Sequence, residues 1–148
     1  MKIRLLVSDE HYDSIAAELI KRGIDIDDSA ELILSENNVT VSQLIARRGE
    51  DIYRLETKDI SHIESYAHDI AAYCENEEYR LSETLRRLEE ILDPKEFIRV
   101  SNSVIVSVSH IKSIRPALSQ KFMLTMKNGA KVDVTRTYYY IFKEFLGI

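Results

Sequence analysis

Between Ser42 and Val134 the chain strings together nine short runs that read as β-strands: SQLIARR, DIYRLE, DISHIES, DIAAYCE, FIRV, SVIVSV, HIKSIRPAL, KFMLTM and KVDV. With one exception they are separated by one to four residues. A parallel crossover needs a dozen or more, so neighbouring strands are expected to pair antiparallel. The Asn128-Gly129 pair between the last two runs marks a tight hairpin turn, because both residue types tolerate the backbone such a turn demands. A chain built this way is expected to fold as a mainly β domain.

The exception is filled by a helix. In YRLSETLRRLEEILDP, residues Leu81, Leu85, Leu88, Ile91 and Leu92 fall on one face. Glu83/Arg87 and Arg86/Glu90 stand four apart on the other, and Asp93-Pro94 stops the run. The final segment, TYYYIFKEFL, is expected to be a short helix laying Tyr139, Phe142 and Leu146 on the core. Ahead of the β texture, residues 1–7 have a strand pattern, and Ser8 is placed to cap a helix whose apolar positions are Tyr12, Ile15, Ala16, Leu19 and Ile20. Gly23 ends that helix, and Ile24, Ile26 and the run ELILSE suggest further extended chain. The Asn37-Asn38 pair reads as a turn and as the boundary between a small α/β appendage, residues 1–40, and the main domain, residues 41–148.

The charge is unevenly spread. Residues 1–94 hold eleven Lys/Arg against twenty-two Asp/Glu, net −11, whereas residues 95–148 hold nine against three, net +6. A cationic last third favours an anionic partner, and a phosphate backbone is the commonest. A single cysteine, Cys74, cannot form an internal disulfide and points to a reducing compartment. No apolar run approaches the roughly 20 residues of a membrane helix. The start, MKIRLLVSDE, carries an acidic pair where a secretory signal would continue its apolar stretch, so the expected localisation is cytoplasmic.

The recurrent catalytic and metal signatures are missing. Asp25, Asp27, Asp28 and Glu31 cluster, but the calcium loop needs Gly at its sixth position, where Ala30 stands, so an acidic solvated turn is the better reading. His62, Glu64, His68 and Cys74 fit no recurrent ligand spacing. Asp9-Glu10 after an opening strand resembles the acidic pair of a phosphorylation receiver, but the appendage offers about one and a half βα units and no third strand for an acceptor aspartate. The two acids are therefore read as first-turn residues that suit the helix dipole. No phosphate loop, nucleophile elbow or paired-carboxylate cleft is present, so no enzyme activity, cofactor, metal or small-molecule substrate is expected.

Two polar lips remain, both in the basic third. In FIRVSNSVIV, the residues Arg99, Ser101, Asn102 and Ser103 precede an apolar strand. Arg99 and the two serine hydroxyls suit phosphate, and Asn102 offers the paired donor and acceptor that can read an adenine edge. Taken alone, the stretch also reads as an ordinary loop with a turn-stabilising Asn. In VDVTRTYYYIF, Thr135, Arg136 and Thr137 fall at a strand-to-helix junction. There Arg136 suits guanine O6 and N7, and the threonines suit phosphate. Tyr138, Tyr139 and Tyr140 suit either base stacking or core packing, and packing is favoured.

The succession DISHIES, YRLSETLRRLEEIL, FIRVSNSVIV, HIKSI and KNGAKVDVTRTYYYIF resembles the LytTR DNA-binding domain of LytR/AlgR/AgrA-type transcription regulators, over residues from about 42 to 148. The resemblance implies an elongated β fold of three sheets that sets loops, rather than a recognition helix, into successive major grooves. It implies base contacts by His68, Asn102 and Arg136, with phosphate contacts by Arg99, Ser103 and Thr137; Ser101 and Thr135 of the two lips and Lys112 of the cationic third are further expected phosphate contacts. Asp69 stands where basic residues are usual, and Ser107 where Asn is common. The short form without a receiver implies control by a partner, often a membrane protein, with the acidic appendage as the surface for that partner or for a homodimer. The expected function is a sequence-specific transcription regulator acting as a dimer on paired sites of double-stranded DNA. The alternative is a protein-interaction module of the same fold that no longer binds DNA.

Overall fold

The structure is a computed structural model that describes residues 1–36 and 40–148. The Asn37-Asn38 turn and Val39 lie outside the described residues. The chain divides into two compact units, residues 1–39 and 40–148.

In the first unit, β1 (Lys2–Leu6) leads into α1 (Asp9–Lys21), followed by β2 (Asp25–Ile26) and β3 (Ile33–Ser35). The three strands are parallel in the order β2-β1-β3. Ile3 and Leu5 are buried. Two details depart from expectation. ELILSE is extended, as expected, but it pairs as a third parallel strand, in which Ile33, Leu34 and Ser35 stand and no aspartate does, and Glu36 follows its last residue. Ser8 occupies the cap position of α1, but its hydroxyl donates to Glu36 Oε1 at 3.2 Å instead of capping the helix. Asp9 and Glu10 lie in the first turn of α1 and favour the positive end of its dipole.

The second unit is mainly β, as its spacing predicts. Seven strands hydrogen-bond in the order β5-β4-β8-β7-β6-β10-β9: β4 (Gln43–Arg48), β5 (Asp51–Glu56), β6 (His62–Tyr66), β7 (Asp69–Cys74), β8 (Glu77–Leu81), β9 (Phe97–Arg99) and β10 (Val104–Ser107). All neighbours are antiparallel. Between β8 and β9 lies α2 (Leu85–Ile91). A second, three-stranded antiparallel sheet follows, of β11 (Ile111–Ala117), β12 (Lys121–Met126) and β13 (Lys131–Val134), and α3 (Tyr139–Leu146) closes the chain.

The helix expected from Tyr79 onward begins only at Leu85. Tyr79 and Leu81 turn inward while Glu78 and Arg80 turn outward, a period-two alternation that makes β8 a strand. Thr84 then starts the helix, its Oγ1 accepting the Arg87 N–H at 3.1 Å. Arg87 pairs with Glu90 three residues on rather than with Glu83.

Two apolar clusters result. One face of the large sheet, with Leu44, Ala46, Ile63, Ala72 and Ile105, packs on Leu85, Leu88 and Leu92. On the opposite face, Ile98, Val104 and Val106 of β9 and β10 meet Phe122, Leu124, Met126, Val132 and Val134 of the small sheet, with Phe142 of α3 fully buried among them. All four residues of β10 are buried, which explains the uninterrupted apolar run VIV. Tyr139 stacks on Phe122 at 4.7 Å and Leu146 packs on the same cluster, as the spacing predicts for the last helix. Tyr140 is exposed and its hydroxyl accepts from Gln120. Among the described residues, no helix is long and apolar enough to cross a membrane.

Candidate nucleic-acid interface

The lip begins where β9 ends. From Val100 to Ser103 the chain reverses into β10, and the turn is closed by the Val100 N–H donating to the Val104 carbonyl at 3.0 Å. Arg99 organises it. Its Nε donates to the Ser101 carbonyl at 3.0 Å, its Nη2 to the Asn102 carbonyl at 2.5 Å and its Nη1 to Glu89 Oε2 at 2.9 Å. Beneath, the Ser101 hydroxyl is buried and accepts the Ser103 N–H at 3.2 Å. Asn102 is left exposed at the tip.

The junction begins where β13 ends. The Thr135 N–H donates to the Val100 carbonyl at 3.0 Å, which fastens the junction to the base of the lip. Arg136 to Tyr138 form one tight turn, closed by the Tyr138 N–H on the Thr135 carbonyl at 2.9 Å, and α3 follows. Arg136 and Thr137 are exposed. The Tyr138 hydroxyl lies 3.4 Å from Asn102 Oδ1, so the two lips adjoin.

The third expected element lies at the same end of the large sheet. Ser65 N–H donates to the Ser103 carbonyl at 2.7 Å, and β6 runs on from there into a two-residue turn, Ala67-His68, before β7. His68 is exposed, three residues beyond that contact, on the order of 10 Å. Asp69, where a basic residue was expected, is paired with Arg80 of the adjacent strand at 3.1 Å. Arg80 therefore neutralises Asp69 beside the turn, a contact invisible in sequence because the two residues meet only through the β7–β8 register.

Three expected site residues are placed otherwise. Ser101 is buried beneath the lip, because its hydroxyl is the acceptor that shapes the turn. Arg99 is only 21% exposed in its side chain, and its donors are taken up by two carbonyls and a carboxylate. Lys112 lies near the far end of β11, whose other end, at Pro116, shares a rung with Phe122 and Val134. That puts it about four residues, roughly 14 Å, from the junction. Ser107 keeps a local hydrogen bond despite replacing Asn: its hydroxyl donates to Glu96 Oε1 at 2.8 Å. Burial works to raise the Glu96 pKa, but bonds from Ser109 and Ser107 outweigh it and hold the carboxyl below its ordinary value.

His62 is a floor, not a ligand. It is buried, stacked on Tyr73 at 4.5 Å, and burial pushes its pKa down to about 4, so it is neutral at physiological pH. Burial likewise raises the Cys74 thiol to about 11, which keeps it protonated and a poor nucleophile. Among the described residues, no group of three or more His, Cys, Asp or Glu is placed to hold a metal ion.

Comparison with known proteins adds to this geometry. The family model of the LytTr DNA-binding domain matches residues 50–147. Sensory transduction protein LytT of Bacillus subtilis is 32% identical over 120 residues, which are 80% of this chain and 50% of that protein. Transcriptional regulatory protein LytR of Staphylococcus aureus is 28% identical over 123 residues, 82% of this chain and 50% of its own. The chain thus spans about half the length of the curated relatives it matches. A solved LytTr DNA-binding domain from Bacillus cereus superposes with a TM-score of 0.71 at 27% identity, covering 73% of this chain and 99% of that one.

Proposed function

We propose that this chain, which belongs to the LytTR DNA-binding domain family, is a sequence-specific transcription regulator that reads the major groove of double-stranded DNA with three loop tips. Asn102 and Arg136 are the principal base readers and His68 the third. Ser103, Thr135 and Thr137 hold phosphates beside them. Arg99 and Ser101 shape the lip from within. The observation that carries this reading is the adjacency of the two exposed readers: Thr135 N–H on the Val100 carbonyl and Tyr138 on Asn102 put both tips on one end of the domain.

The chemistry fits. Asn can bond an adenine edge through two atoms and Arg a guanine edge likewise, each such pair discriminating against the wrong base by about 1–3 kcal/mol. Two or three readers give modest discrimination for one copy, so two copies on paired sites are the natural working unit. The acidic first unit is proposed as the contact for the second copy or for a regulatory membrane protein.

The test is a salt-titrated band shift on sites selected from random duplex DNA. Asn102→Ala and Arg136→Ala are each expected to cost about 1–3 kcal/mol on the selected site and to relax preference at one base position. A wild-type protein that shows neither a preferred sequence nor salt-dependent binding would overturn the reading and leave the protein-interaction module as the better account.

A further inference from the structure

Arg99 is engaged by three partners within the fold. A guanidinium presents five N–H donors in a rigid planar fork, and three of them are taken up in this way. Here one arm goes to the Glu89 carboxylate on α2 and two go to the carbonyls of Ser101 and Asn102. A turn of four residues whose last two carbonyls before Ser103 are held by one charged group has little freedom to rotate. The carboxylate fixes the fork, and the fork fixes the tip.

The setting strengthens this link. Glu89 and Arg99 stand at the rim of a groove of about 270 Å³ whose walls include Phe97, Tyr138, Ile141 and Phe145. These apolar walls shield the pair from water on one side, which makes a charge-assisted bond firmer than at an open surface. Tyr138 lines the same groove and reaches the Asn102 side chain.

We infer that Glu89 is a positioning residue for base recognition: acting through Arg99, it holds the backbone at Asn102 in the orientation that reads the groove. This rests on the reading above that Asn102 contacts a base. It assigns a part in specificity to a carboxylate of α2 that reaches the Asn102 tip only through Arg99, and it assigns Arg99 to the lip instead of to a phosphate.

The inference has a sign that simple electrostatics does not share. Removing a carboxylate from a DNA-binding surface should strengthen binding to all sequences. Glu89→Ala is expected instead to weaken binding to the selected site about tenfold, the scale of one lost charge-assisted bond, with non-specific binding and the salt slope unchanged. Glu89→Gln, which keeps an acceptor, is expected to restore most of the affinity. Arg99→Lys, which lacks the fork, is expected to behave like Glu89→Ala. In an Asn102→Ala background, Glu89→Ala is expected to add nothing. Equal or tighter binding by Glu89→Ala, or a salt slope that falls by about one unit in Arg99→Ala as a lost phosphate contact would give, overturns the inference.

A measurement on the free protein separates this from the DNA-binding reading itself. Amide hydrogen exchange at Asn102 and Ser103 is expected to quicken at least severalfold in Glu89→Ala while the core amides of β10 stay protected. If the wild type binds no DNA yet exchange quickens, the strut stands and the function is wrong. If exchange is unchanged, the strut is wrong.

Discussion

The lip and the junction stand side by side, yet they are held in opposite ways. Around Asn102 the chain is braced from within by Arg99, Ser101 and the closing bond from Val100 to Val104. The Arg136 side chain makes no hydrogen bond or ion pair among the described residues, although its backbone is anchored by the core beneath α3. On the proposed reading, a braced tip loses little freedom on binding and accepts few alternatives. A free arginine loses more, about 0.5–1.5 kcal/mol for a mobile side chain, but extends the capture range of a positive charge. The contrast, carried into the proposed function, amounts to a division of labour, with exact fit at the lip and reach at the junction.

The largest expected effect tests the floor of the junction. Phe142 of α3 is fully buried against the small sheet, so Phe142→Ala should cost about 3–5 kcal/mol of stability by urea unfolding. A cost below 1 kcal/mol would show that the junction does not stand on this cluster.

His62, which lines a small groove together with Ser101 and Ser103 of the lip, should by contrast be sensitive to acid. His62 has its pKa lowered to about 4 against 6.5, so the unfolded chain takes up a proton that the fold refuses. Its contribution is complete above pH 6.5 and is lost as pH falls toward 4, an effect of roughly 1–3 kcal/mol. His62→Gln should flatten stability between those pH values, followed by unfolding at stepped pH. An unchanged slope would mean that another group sets the acid limb.

The smallest effect sharpens the contrast with the third tip. Ala67 in the His68 turn has φ 56°, a left-handed conformation that a β-carbon disfavours. Ala67→Gly should stabilise the domain by about 0.5 kcal/mol, since relief of strain outweighs the added freedom of the unfolded chain. Destabilisation would mean that this tip, like the lip, is tuned to its own side chain.

Much of this arrangement is legible in the sequence, and the misses have physical reasons. Strands announce themselves by alternation and by the shortness of the gaps, and the two adjoining exposed lips around Asn102 and Arg136 by polar residues at strand ends in a cationic region. Leu81 misleads because it satisfies both periods: four residues from Leu85 on a helix, two from Tyr79 on a strand. Lys112 misleads because charge counts give the sign of a surface and not the position along a strand. Arg99 and Ser101 look like ligands for phosphate because their donors and acceptors are visible, while the carbonyls and the carboxylate that occupy them become neighbours only in the fold. Glu89 and Arg80 carry no sequence signal at all, since their partners are set by packing and register.

Strand β10 has consequences beyond recognition. Ile105 belongs to one apolar cluster while Val104 and Val106 belong to the other, so a single four-residue segment is shared by both. Neither half can be melted, excised or exchanged for a homologue's without exposing the other, and residues 40–148 should unfold in one step. If the tips read DNA as proposed, tuning such a domain toward new operators is confined to them, because the spine behind admits no independent revision.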